Sequence, residues 1–450
     1  MDPTDHWFEQ KLDHFNRNRS SSSWQQVASQ DYNPDKPNHA ITQLSETTNR
    51  SQGLEVEYLK IQIRKKNCRW SLGVGAMFLI NIHMKFPLNK RDLSTASLRF
   101  LSSKQAVADI VHFRTEIAKK LGLTKNKWVA FGRYYGGSLA VWSRLTQPSL
   151  FAAAVGSTAI IKAKVNFNEY FEVVYKNLVT HNMECARAVS EALQFIVTLL
   201  QHPEFFSTLQ NQFKLCNPLA SNSNMEKVYF MQNLMRFVSR IGSRTSTRRK
   251  ENEVSIDEFC DTMRNTTLGL PYSRFTRIEN LILKKKNMTC FETNYNTFLK
   301  ALNYSSISNI SNRGGRQWFY QRCTEFGLFI TTDSKEHPFS GLTLRDLIQQ
   351  CSDVFGPKFN YNLVLWGVEV TNTLFTGYNI NGNKVIFPNS LLDPWHTLGI
   401  TKDISQDLPA VVIKGESFCK DMLEPKDTDS AELIQAREKI FQILQTWLME

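Results

Sequence analysis

The sequence contains no long hydrophobic run. Its longest apolar stretch, residues 72–80, has about half of the roughly 20 residues that a membrane-spanning helix needs. We therefore predict no transmembrane segment and no membrane partner. Residues 1–15 (MDPTDHWFEQKLDHF) also have neither the basic start nor the apolar centre of a secretion signal. This leaves two interpretations, a cytosolic protein or a chain that lacks its leader.

Cysteine pairs of the kind that bind metal are missing as well. The chain has eight cysteines, and no two of them have the C-x-x-C spacing of a zinc or redox site. We therefore predict no metal and no cofactor. The even cysteine count and six N-x-S/T sequons nevertheless favour an exported, glycosylated protein. The sequons begin at Asn18, Asn49, Asn265, Asn287, Asn303 and Asn309.

Positive charge is in excess but is not gathered into one block. Lys and Arg number 54 against 42 Asp and Glu, which gives a net charge of +12. The excess lies in short clusters at 64–66, 248–250 and 284–286, and no nucleic-acid-reading module accompanies them. We interpret these clusters as solvated loops and predict no nucleic-acid partner. With 42% hydrophobic and 21% charged residues, the composition is that of a folded protein.

Strand and helix patterns alternate from residue 72 onward. The run 72–80 predicts a buried strand, and 104–121 has the apolar spacing of a helix closed by Gly122. Residues 127–132 (KWVAFG) predict the next strand, a second helix follows, and 151–159 predicts a third strand. Such alternation predicts an α/β fold with a parallel sheet. Strands at 384–387 and 410–413 and a helix opening at 429–432 continue it near the end of the chain.

The middle of the chain has a different pattern. From about 166 to 309 the apolar periodicity is mainly helical. We therefore predict an α/β domain formed by residues 1–160 and 312–450, with a helical insertion at 161–311. Residues 16–66 are polar and rich in Ser, Asn and Gln, and we predict that they are loop-rich.

The turn after the strand at 127–132 has a suggestive frame. It reads Gly132-Arg133-Tyr134-Tyr135-Gly136. In an α/β-hydrolase, G-x-S-x-G at this point makes the sharp elbow that exposes a nucleophilic serine. Here tyrosine stands where the serine would be. Taken alone, the frame is equally typical of an ordinary strand-to-helix turn.

Longer matches resolve that ambiguity through a resemblance. Four stretches carry it: 7–15 (WFEQKLDHF), 92–109 (DLSTASLRFLSSKQAVAD), 318–325 (WFYQRCTE) and 387–395 (FPNSLLDPW). In these stretches the chain resembles the prolyl-carboxypeptidase-like serine carboxypeptidases, peptidase family S28, and within them the thymus-specific group. Residues 16–91 match poorly. The resemblance implies an α/β-hydrolase fold with a helical cap and a Ser-Asp-His triad that cuts peptides near proline or at chain ends. It also implies a homodimer and a place in the secretory pathway, in a lysosome, an endosome or outside the cell.

Transferring the triad position by position leaves only its acid intact. Asp393 fills the acid position, whereas Tyr134 stands at the nucleophile and Phe418 at the base. Phenylalanine cannot accept a proton, and a phenol without a base stays protonated at neutral pH. Arg133 and Ser390 also replace glycines of the family pattern. We therefore predict that the chain is a catalytically inactive homologue.

The oxyanion-binding stretch is altered too. The family carries a G-G-E-G-like turn with no counterpart here, and residues 82–86 (IHMKF) are a shortened remnant of an H-R-F-Y-G-like stretch. The backbone donors that would stabilise an oxyanion are therefore in question.

Three further residues offer weak replacements for the missing groups. Ser138 lies one helical turn beyond the elbow, and we interpret it as a packing residue. His396 follows Asp393 by three residues, and we predict an ordinary loop histidine. Cys419 stands beside the base position, and we predict a disulfide partner rather than a nucleophile.

Three functional hypotheses follow. The first is an inactive homologue that binds a peptide or protein in the former cleft or acts only as a folded partner. The second is an active serine-type peptidase, and the third is a non-functional product of a duplicated gene that does not fold stably.

Overall fold

The structure is a computed structural model, and it describes most of the chain beyond residue 92. Described are residue 15, the backbone of strands 4–11, 23–31, 40–45 and 75–80, and residues 93–219, 223–243, 253–303, 314–416 and 419–450. Within these ranges no helix has the length and apolar character needed to cross a bilayer. The same ranges contain no group of His, Cys, Asp and Glu that could bind a metal ion.

The described strands and helices alternate along the chain. The strands are β1 (Thr4–Lys11), β2 (Ser23–Asp31), β3 (Ala40–Ser45), β4 (Gly75–Ile80), β5 (Trp128–Arg133), β6 (Ala153–Ser157), β7 (Lys164–Asn166), β8 (Gly327–Phe329), β9 (Val385–Ser390) and β10 (Ala410–Ile413). The helices are α1 (Thr95–Leu98), α2 (Ser103–Lys120), α3 (Tyr135–Thr146), α4 (Glu169–His181), α5 (Met183–Leu199), α6 (Phe206–Phe213), α7 (Asn224–Gly242), α8 (Ile256–Arg264), α9 (Pro271–Lys285), α10 (Tyr295–Leu302), α11 (Gly315–Gln321), α12 (Leu344–Phe355), α13 (Tyr361–Phe375) and α14 (Ala431–Met449). Short helical turns cover Pro203–Phe205, Thr266–Leu268, Arg322–Phe326, Pro394–Leu398 and Lys420–Met422.

One mixed sheet organises the fold. Its eight strands lie in the order β1-β2-β4-β3-β5-β6-β9-β10. β2 pairs antiparallel with β1 and β4, and every later pair in the sheet is parallel. β7 and β8 form a separate parallel pair. A parallel sheet with helices between its strands and a sharp turn from β5 into α3 is the α/β-hydrolase fold, which confirms the predicted fold class.

Strands β5, β6 and β9 are buried on both faces. In β5, Trp128 and Ala130 belong to the larger apolar core, whereas Val129 and Phe131 belong to a second, smaller core. This follows from the strand period of two, which sends successive side chains to opposite faces. Helix α14 covers the second face with a helical stripe consisting of Leu433, Ala436, Ile440, Leu444 and Trp447.

The prediction of a loop-rich segment at 16–66 was wrong at two places. β2 and β3 lie within this segment, and β3 pairs with both β4 and β5. Strands with polar side chains can form because the hydrogen bonds between strands join backbone N–H and C=O groups, whatever the side chains are. The polar composition of residues 16–66 therefore did not indicate these two short strands.

The middle segment is helical, as its periodicity predicts. Helices α4 to α10 lie between residues 169 and 302, and two disulfides, Cys185–Cys260 and Cys216–Cys290, join parts of this segment. A third disulfide, Cys323–Cys351, links the π-helical turn after α11 to α12. The division into residues 1–160 with 312–450 and an insertion at 161–311 stays a prediction.

Candidate functional site

Tyr134 lies at the apex of the turn between β5 and α3. Its backbone has φ 51° and ψ −125°, a region that residues other than glycine rarely adopt. A Cβ on Gly132 would lie 2.0 Å from the carbonyl oxygen of Gly136, so only glycine fits there. The Tyr134 N–H donates a 3.0 Å hydrogen bond to the carbonyl of Ser157 on β6. The strained elbow of a hydrolase is therefore present, with a tyrosine at its tip.

Asp393 follows β9, and its side chain contacts Tyr134 at the tip of the elbow. Its side chain is 0% exposed. Oδ1 accepts a hydrogen bond from the Trp395 N–H at 3.1 Å, and Oδ2 accepts one from the Tyr134 hydroxyl at 3.2 Å. Burial raises the pKa of Asp393 to about 7, although both hydrogen bonds oppose the shift. The structure thus brings two of the sequence-predicted site residues into direct contact.

The Tyr134 hydroxyl holds its proton firmly in this position. Burial raises the pKa of Tyr134 well above its ordinary value, and the charge of Asp393 raises it further. The phenol is therefore the donor and the carboxylate the acceptor. A phenolate nucleophile is strongly disfavoured here.

Aromatic rings connect the elbow to the helical segment. The Tyr134 ring meets the Trp395 ring edge-on, with centroids 6.5 Å apart. Trp395 in turn lies 5.4 Å from Phe167 and 5.9 Å from Tyr170, measured between ring centroids. Tyr134 and Trp395 are half-buried, whereas Phe167 and Tyr170 belong to the core. These four residues form what we call the aromatic wall.

The predicted base position, Phe418, lies outside the described residues. Ser417 lies outside them too, and the described segments that flank residues 417 and 418 are both held to the sheet. Before it, the Ser390 hydroxyl at the end of β9 donates to the carbonyl of Glu416. After it, the Ser157 hydroxyl donates a 2.7 Å hydrogen bond to Oδ1 of Asp421.

Arg437 on α14 donates hydrogen bonds to the same loop. Its guanidinium donates to the carbonyls of Lys420 at 2.6 Å, Leu423 at 3.0 Å and Asp421 at 3.2 Å. It also pairs with Asp429 at 2.6 Å. Sequence analysis missed this set of contacts because Arg437 stands in no motif.

Ser138 and His396 are both occupied by structural hydrogen bonds. Ser138 is fully buried, and its hydroxyl lies 2.8 Å from the carbonyl of Ile160 and 3.2 Å from that of Tyr134. The Nδ1 of His396 lies 2.7 Å from the backbone carbonyl of Asp393, not from its carboxylate. Burial lowers the pKa of His396, so the neutral ring donates from Nδ1.

Cys419 is buried, and the disulfide predicted at this position stays a prediction. It has no disulfide partner among the residues that the structure describes, a set that does not include Cys68. Its Sγ lies 3.8 Å from the carbonyl of Ser157. Burial, with the charges of Asp421 and Asp393, raises the pKa of Cys419 to about 12. The thiol is therefore protonated and a poor nucleophile.

Sequence comparison decides the family. A sequence model of the Serine carboxypeptidase S28 family matches residues 10–440 of this chain. The chain belongs to the serine carboxypeptidase S28 family. The predicted family is thereby confirmed, including residues 16–91, where the motifs match poorly.

Individual relatives of this S28 chain carry peptidase names. It is 32% identical to the thymus-specific serine protease of Homo sapiens over 368 residues, which covers 79% of this chain and 70% of the relative. It is 25% identical to the lysosomal Pro-X carboxypeptidase of Mus musculus over 373 residues, covering 78% and 70% respectively. Among solved structures, the proline iminopeptidase of Mycobacterium smegmatis aligns with a TM-score of 0.35 at 10% identity, covering 94% of this chain and 96% of that one. No argument rests on that structural alignment.

Proposed function

We propose that this S28 chain is a catalytically inactive homologue that binds a peptide or protein segment at the former active site. The observation that carries the proposal is the direct hydrogen bond from Tyr134 to Asp393. In a serine-peptidase triad the acid holds an imidazole, and the imidazole takes the proton of the serine. Here the residue at the nucleophile position contacts the acid itself. No space for an imidazole is left between these two side chains.

Asp393 cannot take over the role of the base. The Tyr134 pKa lies well above 10, whereas that of Asp393 is about 7, so the proton stays on the phenol. Moving the proton from Tyr134 to Asp393 is therefore unfavourable, because each unit of pKa difference costs about 1.36 kcal/mol. The phenol ring also fills the space next to the elbow that an acyl group would need.

The serines near the elbow do not support an active enzyme either. Ser138 and Ser157 are both 0% exposed. Their hydroxyls are engaged by the carbonyl of Ile160 and the carboxylate of Asp421. Neither has an imidazole partner among the described residues. An activated serine requires an accessible hydroxyl with a base in hydrogen-bond reach.

The aromatic wall supports a peptide as ligand. Tyr134 and Trp395 present half-buried rings, and Phe167 and Tyr170 support Trp395 from behind. Aromatic surfaces with one polar group bind apolar side chains and proline rings well. The name of the Mus musculus relative denotes action at Pro-X bonds in that protein. We infer that proline-containing peptides are the ligand class to test first.

We also infer a place in the secretory pathway. Three disulfides within the described part of the chain indicate an oxidising compartment. The relative from Mus musculus is named as lysosomal, which is consistent with this inference.

A combined activity and binding assay tests the proposal. Folded full-length chain is incubated with proline-containing peptides and with a fluorophosphonate probe, and peptide binding is followed by calorimetry. We expect no product, no labelled serine and saturable binding. Trp395→Ala should weaken binding by at least about tenfold, the effect of removing an aromatic anchor. The exposed Trp366, on α13, provides the matched control Trp366→Ala, which should bind normally.

Two outcomes contradict the proposal separately. Turnover with a labelled serine would show that the chain is an active peptidase. If a chain shown to be folded binds none of the peptides, the proposal of a peptide ligand is wrong, whereas the proposal of an inactive homologue is unaffected.

A further inference from the structure

Two of the six sequons lie on exposed turns at the two ends of helix α9. Asn265-Thr266-Thr267 precedes the helix, and Asn287-Met288-Thr289 follows it. All six of these residues are exposed. The other four sequons begin at Asn18, Asn49, Asn303 and Asn309, and each includes residues that the structure does not describe.

The side-chain amide of Asn265 is free at the atom that a sugar would occupy. Its Oδ1 accepts hydrogen bonds from the Thr267 N–H at 3.1 Å and the Thr267 hydroxyl at 2.6 Å. Its Nδ2 makes no hydrogen bond with any described residue. A sugar attached to Nδ2 leaves Oδ1 unchanged. Both hydrogen bonds of the native turn therefore survive glycosylation.

The side-chain amide of Asn287 is also available for a sugar, for a different reason. It lies just beyond the end of α9 with φ 52°, a left-handed conformation that asparagine tolerates better than most residues. Its backbone N–H donates to the carbonyl of Lys284 at 3.1 Å. Its side-chain amide has no hydrogen-bond partner in the part of the chain that the structure describes. Attachment there breaks no described contact.

Both sequons lie next to disulfides of the same helical segment. Cys185–Cys260 ends five residues before Asn265, and Cys216–Cys290 ends three residues after Asn287. Structural disulfides form in the oxidising secretory compartments. N-linked oligosaccharides are a modification of secreted surfaces at this same tripeptide. The two observations are independent and indicate the same compartment.

We propose that Asn265 and Asn287 carry N-linked oligosaccharides. In each transfer, Nδ2 forms a bond to the anomeric carbon of a lipid-pyrophosphate-linked oligosaccharide. The bond from that carbon to the phosphate oxygen breaks, the lipid pyrophosphate leaves, and Nδ2 gives up one proton. The glycans stand at opposite ends of a helix of 15 residues, about 22 Å long. This assignment does not depend on the proposed peptide-binding function.

Mass spectrometry of the full chain tests the assignment. The chain is expressed in eukaryotic cells behind a cleavable secretion leader and recovered from the whole secretory compartment, because glycan transfer precedes folding. Peptide N-glycosidase in ¹⁸O water then converts each glycosylated asparagine to a mass-tagged aspartate. We expect tags at Asn265 and Asn287. Thr267→Ala and Thr289→Ala should each remove one glycan, whereas Thr267→Ser and Thr289→Ser should retain it.

Untagged Asn265 and Asn287 in wild-type chain from the secretory compartment would overturn the proposal. A tag at one of the two positions alone would overturn the assignment of the other. Because wild-type occupancy is read directly, the result stands even if an alanine variant folds poorly.

Discussion

The hydroxyl of Tyr134 donates a 3.2 Å hydrogen bond to Oδ2 of Asp393, 259 residues further along the chain. We predict that these residues stand at the nucleophile and acid positions of a serine-peptidase triad, and they are joined without the imidazole that normally separates such residues. The elbow that holds Tyr134 is still strained, and the loop on either side of residue 418 is still fixed to the sheet. The proposed function therefore describes a preserved scaffold in which a direct contact stands where the proton relay of a peptidase would be.

Restoring the family residues should not restore a full peptidase. The triple variant Arg133→Gly, Tyr134→Ser and Phe418→His supplies a serine, a histidine and the elbow glycine. We expect peptide hydrolysis to stay at least about 100-fold below an active S28 enzyme, the usual effect of a missing oxyanion donor. The measurement is kcat/KM on a proline-containing peptide. Rates equal to those of an active relative would show that the oxyanion donors are intact.

Removing the Tyr134 hydroxyl should destabilise the fold. Tyr134→Phe leaves Oδ2 of the buried Asp393 without this donor, which should lower the free energy of unfolding by about 1 to 3 kcal/mol. Denaturant unfolding measures the change. Tyr361→Phe is the matched control, because Tyr361 is 49% exposed and its hydroxyl bonds to no described residue. An equal effect of both variants would mean that the contact contributes nothing.

The same unfolding experiment also tests the hypothesis of a non-functional gene product. A cooperative transition of the wild-type chain would reject it, because a chain without a packed core unfolds gradually. The two apolar cores on either face of the sheet lead us to expect a cooperative transition.

The buried acid should make stability fall as the pH rises. The pKa of Asp393 is about 7 in the folded chain and about 3.9 when unfolded, so between pH 4 and 7 the folded state binds more protons. The unfolding free energy therefore decreases across this window. Asp393→Asn removes the effect, and its stability relative to wild type should rise by about 3 to 4 kcal/mol from pH 4 to pH 8.

Other buried acids do not disturb this comparison. Glu325 and Asp421 also have pKa values raised by burial, to about 7 and about 6, but they are present in both proteins and cancel in the difference. Asp427→Asn, at an exposed carboxyl, controls for the loss of one charge. A difference between Asp393→Asn and wild type that does not change with pH would contradict the buried, proton-binding state of Asp393.

Cys419 should resist alkylation until the chain unfolds. The thiol is buried, and its pKa of about 12 leaves almost no thiolate at neutral pH. With no reductant present, iodoacetamide should modify Cys419 in denaturant and should leave it unmodified in the native chain. Peptide mapping shows whether Cys419 is modified. Rapid modification of the native chain would show an accessible thiolate. Failure to modify it in denaturant would show that the thiol is paired.

Local elements could be predicted because they depend on neighbouring residues. The predicted helix at 104–121 is α2, observed at Ser103–Lys120, and the predicted strand at 127–132 is β5, observed at Trp128–Arg133. The glycine frame of the elbow and the substitution at Tyr134 are equally visible in the sequence. Each of these signals lies within a few residues, where periodicity and backbone preference decide the structure.

The remaining features depend on contacts between distant segments. Polar strands β2 and β3 gain their stability from a ladder formed with other strands, so composition alone indicated loops. The pairing of six cysteines into three disulfides follows from which segments pack together.

The sequence by itself determined that Tyr134 and Phe418, at the predicted nucleophile and base positions, lack the groups of a serine and a histidine, because residue identity alone decides whether a side chain can ionise. Only the tertiary structure decided what occupies their place. In the folded chain the Tyr134 hydroxyl bonds to Asp393, and the Trp395 ring contacts the Tyr134 ring. These contacts form only in the folded chain, because folding places β5 and β9 two strands apart in one sheet.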